Sequence, residues 1–346
     1  MADAASSVVP TVSVIVPVFN GGRFLGRCLG ALRGAEDRQV EVIVVDDAST
    51  DDSAAIARAH GARIVSLATQ HGPGGARNHG ARAARGAILF FVDADVVVRP
   101  DAIGRVVADL EAAPDVAAVF GSYDDSPSER SFVSQYKNLY HHFTHQQGSE
   151  SASTFWAGCG AIRRSVFEAA GGFDEGRYRR PSIEDIELGY RLRALGYRIR
   201  LDKQLQGTHL KRWTIASLLK ADLLDRAVPW SRLILDTGSI VNDLNVRTSE
   251  RVSAALVVLA VGAAPLVAYS PALAALPLAS LGGVVALNHR LYRFLLARRG
   301  AWFASRALPL HCLYYLYSSA AFAWCWSARV VHRARARATA QGVAVI

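Results

Sequence analysis

Two aspartates, Asp93 and Asp95, close the apolar run "AILFFVDAD" over 87–95. Carboxylates are costly to take out of water unless something compensates them. On an extended strand, residues two apart point to the same side, so this DxD spacing predicts two oxygen donors converging on one ligand beyond a strand end. Hard donors of that kind suit a divalent cation, Mg²⁺ or Mn²⁺, that keeps part of its water shell and also binds a diphosphate. The spacing is common, and the plain alternative is one Asp capping a turn beside a solvated neighbour.

The segment before it, "HGPGGARNHG" over 71–80, adds weight to the cation reading. Gly72, Gly74 and Gly75 permit close backbone approach, Pro73 suits the first turn of a helix, and Arg77 would project near that helix's N-terminus, a site suited to phosphate. Arg77 is therefore a candidate clamp on a diphosphate. A dinucleotide fingerprint would instead follow the first strand, which here ends in "PVFNGG". In "VVDDASTDDS", Asp46 and Asp47 can accept from a base imide or from ribose hydroxyls, while the residues after them cap the next helix. Further on, "PSIEDIELGY" starts a helix with Glu184 and Asp185 in its first turn. Carboxylates there complement the helix dipole; if that end faces the site, Asp185 can serve as general base toward an acceptor hydroxyl.

The elements that must position these residues alternate. Short β-branched runs at 11–19, 40–47, 62–67, 87–95 and 116–123 are separated by amphipathic stretches near 23–32, 53–60, 73–84 and 100–111. Near-continuous apolar strands divided by helices predict an α/β fold, a Rossmann-like, mostly parallel sheet covered by helices on both faces. Ligands bind such sheets at the carboxyl ends of the strands, where Asn20, Asp46, Asp47, Asp93 and Asp95 fall. A polar segment, 124–151, is expected to hold a loop and one helix, followed by "FWAGCG", a helix near 182–195 and a short strand "YRIRLD". "HHFTH" (His141, His142, His145) can present two imidazoles one helical turn apart, but no third metal ligand is evident, and an acceptor-side helix is the preferred reading.

Taken in order, "VSVIVPVFNGGRFLGRCLGAL", "VEVIVVDDASTDDS", "GPGGARNHGARAARGAILFFVDAD" and "GGFDE…PSIEDIELGYRLRALGY" closely resemble the family 2 glycosyltransferases, which have the GT-A fold. The resemblance implies that Pro17, Phe19 and Asn20 line a base and ribose pocket, with Phe19 where the family often has Tyr. It implies that Asp46 or Asp47 contacts the nucleoside, Arg77 the diphosphate, and Asp93 and Asp95 the ribose and metal, Asp95 more directly. Asp185, in the family's ED motif, would be the catalytic base. His209 falls where some members carry a further metal or phosphate ligand. Trp156, Gly158 and Glu184 are expected on the acceptor side, in or facing "FWAGCG". "HLKRW" matches the QxxRW motif of processive synthases at Arg212 and Trp213, but His209 stands in place of the Gln, which argues against processive synthesis. The implied activity is a metal-dependent inverting transfer of a hexosyl or N-acetylhexosaminyl group from a nucleotide diphosphosugar to a lipid-linked or membrane-proximal acceptor. Alternatives are a membrane-bound nucleotide-sugar-binding scaffold without turnover, or a processive polysaccharide synthase.

Charge separates the chain into two parts. The net charge is +9, yet every residue from Arg251 onward that is charged is an Arg, and all Asp and Glu precede it. A near-neutral domain followed by a basic, apolar region points to membrane lipids as a partner and excludes nucleic acid, which needs a basic stripe on the folded domain. Four scattered cysteines predict neither a disulfide framework nor a zinc site. "MADAASSVVPT" has no basic n-region or long apolar stretch, so no cleavable signal is expected. The expected organisation is a tail at 1–10, a GT-A domain at 11–212, an amphipathic interfacial helix and linker at 213–250, a membrane region at 251–330 with two or three hydrophobic helices, and a basic tail at 331–346. The uncharged stretch 252–287 holds two of those helices and 308–328 a third. The catalytic domain is expected on the cytoplasmic side of the inner (plasma) membrane.

Overall fold

The computed structural model describes residues 10–33 and 40–342, with side chains to 336. The tail expected at 1–10 lies outside the described residues except for Pro10, as does the end of the basic tail. The chain divides into two compact units, Met1–Trp213 and Thr214–Ile346.

The first unit is an α/β sandwich. In chain order it contains β1 (Val12–Val18), α1 (Gly22–Leu32), β2 (Val40–Asp46), α2 (Ser53–Ala59), β3 (Arg63–Ser66), α3 (Gly72–Ala83), β4 (Ile88–Val92), β5 (Val96–Val98) and α4 (Ala102–Ala112). There follow β6 (Val116–Tyr123), α5 (Phe132–Gln146), β7 (Ser151–Ala152), β8 (Cys159–Arg163), α6 (Arg164–Ala169), α7 (Glu184–Ala194) and β9 (Arg198–His209). One sheet runs β3-β2-β1-β4-β8-β6-β9-β5, with β7 paired to β9.

The two-residue period of the strands explains the layering. Val14, Val16, Val44 and Phe90 pack into one core with Leu25 and Leu29 of α1 and Val106 of α4. Ile15, Ile43, Val45 and Phe91 face the other way, onto Ala76 of α3, Phe167 of α6 and Leu188 of α7. Both faces of the strands are thus buried, which is why the runs read as almost unbroken apolar sequence.

Three local departures from the expected pattern shape the site. The sheet is mixed, because β8 runs antiparallel to both β4 and β6. The strand expected only at "YRIRLD" continues to His209, first beside β6 with two irregularities in register, then antiparallel to β5 with Val96 opposite His209. The DxD is not strand: β4 stops at Val92, and Asp93–Asp95 form a turn in which the Asp93 carbonyl accepts from the Val96 amide at 2.9 Å. The expectation that Asp93 and Asp95 project in parallel from one strand therefore fails.

The second unit is helical. The single surface helix expected at 214–235 is interrupted: α8 (Ile215–Lys220) passes through a π-helical turn, Ala221–Ala227, into α9 (Val228–Thr237). Pro229, which has no amide to donate, sits just after that turn, and Gly238, at φ 66°, ends α9. α10 (Thr248–Ala263) continues past Pro265 as a tighter turn to Ala268. α11 (Ala275–Leu287), α12 (His289–Arg299) and the long α13 (Ala301–Gly342) follow. Among the described residues one helix, Thr248–Ala268, is long and apolar enough to cross a membrane; a second counts only if Pro271–Leu287 and His289–Arg299, bent by 71°, form one span. The third crossing expected at 308–328 lies within α13, where His311, Tyr314, Ser318 and Ser319 dilute the apolar sequence. Tyr269, Leu278 and Trp302 are among the second unit's most exposed apolar side chains.

Candidate functional site

The carboxyl ends of β1, β2 and β4 gather the expected donor-side residues. β1 includes half-buried Pro17 and is followed by exposed Phe19, 47% accessible, and by Asn20 in the left-handed region at φ 50°. Asn tolerates that conformation, and its position is fixed by local bonds: its amide donates to Ser49 Oγ at 3.0 Å and its Oδ1 accepts from the Thr50 amide at 2.8 Å. β1 and the loop after β2 are therefore tied into one wall.

Asp46 and Asp47 hold the turns around that wall. Asp46 Oδ1 accepts from the Ser49 amide at 3.0 Å. Asp47, 3% exposed, accepts from the His71 and Gly72 amides at 2.7 and 2.8 Å, pinning the first turn of α3 to β2. Gly72 is at φ 76°, and a Cβ there would meet the Arg179 carbonyl, so glycine is required.

Arg77, expected as a diphosphate clamp, is engaged with two carboxylates. Its guanidinium is 4% exposed, with Nη2 donating to Asp93 Oδ1 at 2.6 Å and Nη1 to Glu184 Oε1 at 2.9 Å. The other Glu184 oxygen accepts from the Ser182 amide at 3.0 Å. Burial disfavours a charge at Arg77, but Asp93, Glu184 and Asp185 outweigh it and hold the pKa above the ordinary value. Arg77 is thus a buried joint between the DxD turn and the first turn of α7. Glu184, 5% exposed and expected on the acceptor side, is part of that joint.

Asp185 projects next to it. Its Oδ2 accepts from the Ala157 amide at 3.1 Å, so "FWAGCG" orients the carboxylate. Close approach of α7 to this segment depends on Gly189, where a Cβ would meet the Phe155 amide at 2.3 Å. Gly158 has a similar role: a Cβ would strike the Trp156 ring at 2.6 Å, and its carbonyl accepts from the Asp93 amide at 3.1 Å. Trp156 meets the rings of Tyr123 and His141, each at 4.9 Å between centroids.

His209 and Asp95 form the other half. Extension of β9 brings His209 Nε2 to 3.4 Å from Asp95 Oδ2. The imidazole is 4% exposed, stacked on Tyr123 at 4.3 Å, with Nδ1 2.7 Å from Asn138 Oδ1. Burial pushes both DxD carboxyls up. At Asp93 it prevails over the attraction of Arg77, with Asp95 adding to the push, so that pKa is raised. At Asp95, His209 and Lys211 prevail and hold it below the ordinary range.

Chemically, Asp95 and His209 fit a divalent cation: a carboxylate oxygen and a ring nitrogen face each other at the sheet edge. Among the described residues no three His, Cys, Asp or Glu side chains form a ligand cluster. The protein thus offers a partial shell that waters and a diphosphate must complete.

"HHFTH" is structural here. His142 Nδ1 lies 2.7 Å from the Tyr123 carbonyl and His145 Nδ1 2.9 Å from the Gly121 carbonyl, fastening α5 to β6. In "HLKRW", Trp213 is buried, its backbone amide donating to Ser134 Oγ at 2.7 Å, and Arg212 is exposed. Sequence reasoning singled out neither Asn138 as a partner of His209 nor the Ala157 amide as a partner of Asp185. Asn138 carries no motif, and its partner lies 71 residues away.

Residues 13–171 match the family described as "Glycosyl transferase family 2". The succinoglycan biosynthesis protein ExoO of Rhizobium meliloti (strain 1021) is 38% identical over 108 residues, 30% of this chain and 31% of that one. A validoxylamine A glucosyltransferase of Streptomyces hygroscopicus subsp. jinggangensis (strain 5008) is 30% identical over 240 residues, 59% of this chain and 56% of that one. The chain thus spans between about a third and just over half the length of these relatives. In fold it is similar to the mannosyltransferase PcManGT from Pyrobaculum calidifontis, solved with GDP-Man and Mn²⁺, at TM-score 0.52 and 19% identity, covering 92% of this chain and 88% of that one. It is also similar to S. aureus TarS 1–349 in complex with UDP-GlcNAc, at TM-score 0.51 and 17% identity, covering 89% and 90%. That match lies over the α/β sheet and its edge of carboxylates, so residues 13–171 of this chain are similar to glycosyl transferase family 2.

Proposed function

We propose that the chain moves a sugar, with inversion, from a nucleoside-diphosphate sugar to a hydroxyl of a lipid-linked or membrane-proximal glycan or lipid. The observation that carries this reading is the Arg77 joint, which holds the DxD turn and the start of α7, with Asp185, as one rigid unit. A donor-side carboxylate pair and a candidate base are thereby fixed relative to each other, which positional catalysis requires.

Asp185 takes the proton of the acceptor hydroxyl as that oxygen attacks the anomeric carbon. The bond from that carbon to the diphosphate breaks on the opposite face, its electron pair leaving with the nucleoside diphosphate. A divalent cation, Mg²⁺ or Mn²⁺, held by Asp95 and His209 beside Asp93 would supply positive charge for the departing diphosphate. Pro17, the exposed Phe19 ring and Asn20 form the wall for base and ribose, while Asp46 and Asp47 shape it through the turns they hold. Trp156 and Gly158 border the acceptor side through the segment that orients Asp185. The donor and cation in the similar PcManGT structure, GDP-Man and Mn²⁺, are of the classes proposed here.

The second unit supports membrane association, with the catalytic unit on the cytoplasmic side of the plasma membrane. Its apolar helix Thr248–Ala268 and a basic region without any acid from 251 onward are the supporting features. Fractionation of cells expressing the full chain should recover it with membranes resistant to carbonate; full release by carbonate would contradict this part of the reading.

The donor class is tested by thermal shift of the full chain with UDP-, GDP- and dTDP-sugars, each with and without Mn²⁺. Saturation at about 100 times Kd stabilises by roughly 2.7 kcal/mol, so one nucleotide class should raise the transition, and more so with the cation. No shift with any donor, with or without metal, would contradict the transferase reading.

A further inference from the structure

The ring of His209 is placed by two neighbours. On one side, Asn138 Nδ2 donates to the Ser134 carbonyl at 2.9 Å. A carbonyl can only accept, so the amide nitrogen must be the atom that faces it, and Asn138 Oδ1 must be the atom facing His209. At 2.7 Å from Nδ1, that oxygen requires a proton on Nδ1. Asn138 is 1% exposed, so no bulk water competes for either contact.

On the other side, with the Nδ1 proton committed to Asn138, Nε2 is the ring atom that faces Asp95 Oδ2, at 3.4 Å. A metal cation that displaces any proton between Nε2 and Oδ2 is held by both atoms. The Tyr123 ring, stacked on the imidazole with an interplanar angle of 8°, blocks rotation of the imidazole out of this position.

We infer that Asn138 is a positioning residue for the cation: it keeps a proton on Nδ1 of His209, so that Nε2, aimed beside Asp95, is the ring atom left for coordination. The inference rests on the proposed cation site at Asp95 and His209, and it assigns to α5, through Ser134 and Asn138, control over the affinity of that site. Groups that orient a ligating histidine commonly contribute 10–100-fold in metal affinity.

Mn²⁺ binding to the full chain in detergent, read by EPR of the free ion with UDP or GDP present and absent, tests it directly. Asn138→Leu should weaken Mn²⁺ binding about 10–100-fold. Asn138→Asp, which still accepts from Nδ1, should bind Mn²⁺ within about threefold of wild type or more tightly. Labelled-histidine ¹⁵N NMR without metal should show His209 protonated at Nδ1 in wild type and shifted toward Nε2 in Asn138→Leu. Equal Mn²⁺ affinity and an unchanged tautomer in Asn138→Leu, alongside normal wild-type binding, would overturn this inference alone. Absence of Mn²⁺ binding by wild type under both conditions would overturn the cation site and this inference with it. Should Asn138→Leu fail to fold, Asn138→Ser replaces it, with the same expected loss and the same contradicting result.

Discussion

The two ends of the same sheet treat their carboxylates in opposite ways. At the amino end, Glu41 of β2 is 9% exposed and fully answered: Ser13 Oγ and the Arg85 amide each donate to Oε1 at 2.6 Å, and Arg85 Nε reaches Oε2 at 3.2 Å. Ser13 in turn accepts from the Gly86 amide at 2.8 Å. At the carboxyl end, Asp93 and Asp95 crowd one another, and Asp95 faces Nε2 of His209 at 3.4 Å. Burial raises the pKa at both ends, but hydrogen bonds at Glu41 reverse the effect, whereas at Asp93 the raised value persists. A buried acid with all its partners present stabilises a fold; one whose partners are incomplete marks where a ligand belongs.

The sharpest way to break the contrast is to remove the guanidinium buried at the carboxyl end. Arg77→Met strands Asp93 and Glu184 without a counter-charge, and loss of one partner from a buried pair typically costs about 3–5 kcal/mol. Urea denaturation followed by tryptophan fluorescence should show that loss, and Arg77→Lys should recover only part, because one ammonium cannot reproduce the forked contact. If Arg77→Met were as stable as wild type, the joint between the DxD turn and α7 would not exist as described.

A smaller effect is expected at the amino end. Glu41→Gln should cost about 1.5–3 kcal/mol, the range for hydrogen bonds to a charged group, and leave turnover unchanged. The pH dependence carries the sign. The folded pKa of Glu41 lies below its ordinary value, because the bonds from Ser13 and Arg85 overcome burial. Its contribution is therefore complete above the unfolded carboxylate pKa of about 4.3 and is lost as pH falls through the folded value. Wild type should lose stability over that acid range more steeply than Glu41→Gln; parallel profiles would refute the assignment.

The smallest effect belongs to the exposed wall of the proposed nucleotide pocket. Phe19→Ala removes a solvent-facing ring and should leave the unfolding transition within about 0.5 kcal/mol, as for most surface changes. Donor KM should rise severalfold with kcat little changed; unchanged KM would remove Phe19 from the pocket.

Legibility in the sequence followed the range of the forces involved. The β-branched run "VSVIVPV" predicts a strand, and its nearly continuous apolar sequence predicts cover on both faces, as found with Val14 and Ile15 in opposite cores. Asp93, Asp95 and Asp185 are visible because motif and spacing are local. Their geometry is not: β4 ends at Val92, and the turn that separates the two aspartates is set by the carbonyl of Asp93 and the amide of Val96. Arg77 reads as a phosphate ligand from its place near a helix start, but its burial depends on Glu184, 107 residues later. The break in the helix at 214–235 could be suspected from Pro229, though not its π-helical form.

The central claim is that chemistry sits at the carboxyl edge and not at the amino edge, and one paired assay measures it. Release of nucleoside diphosphate from the donor sugar selected by thermal shift should be followed in the full chain with Mn²⁺ for wild type, Asp185→Asn and Glu41→Gln. Asparagine can still accept from the Ala157 amide, so the fold and donor binding are retained while the base is lost. The predicted result is a fall of about 10²–10⁴-fold for Asp185→Asn and a rate within about twofold of wild type for Glu41→Gln. Turnover by Asp185→Asn equal to that of Glu41→Gln, with donor binding intact in both, would contradict the account.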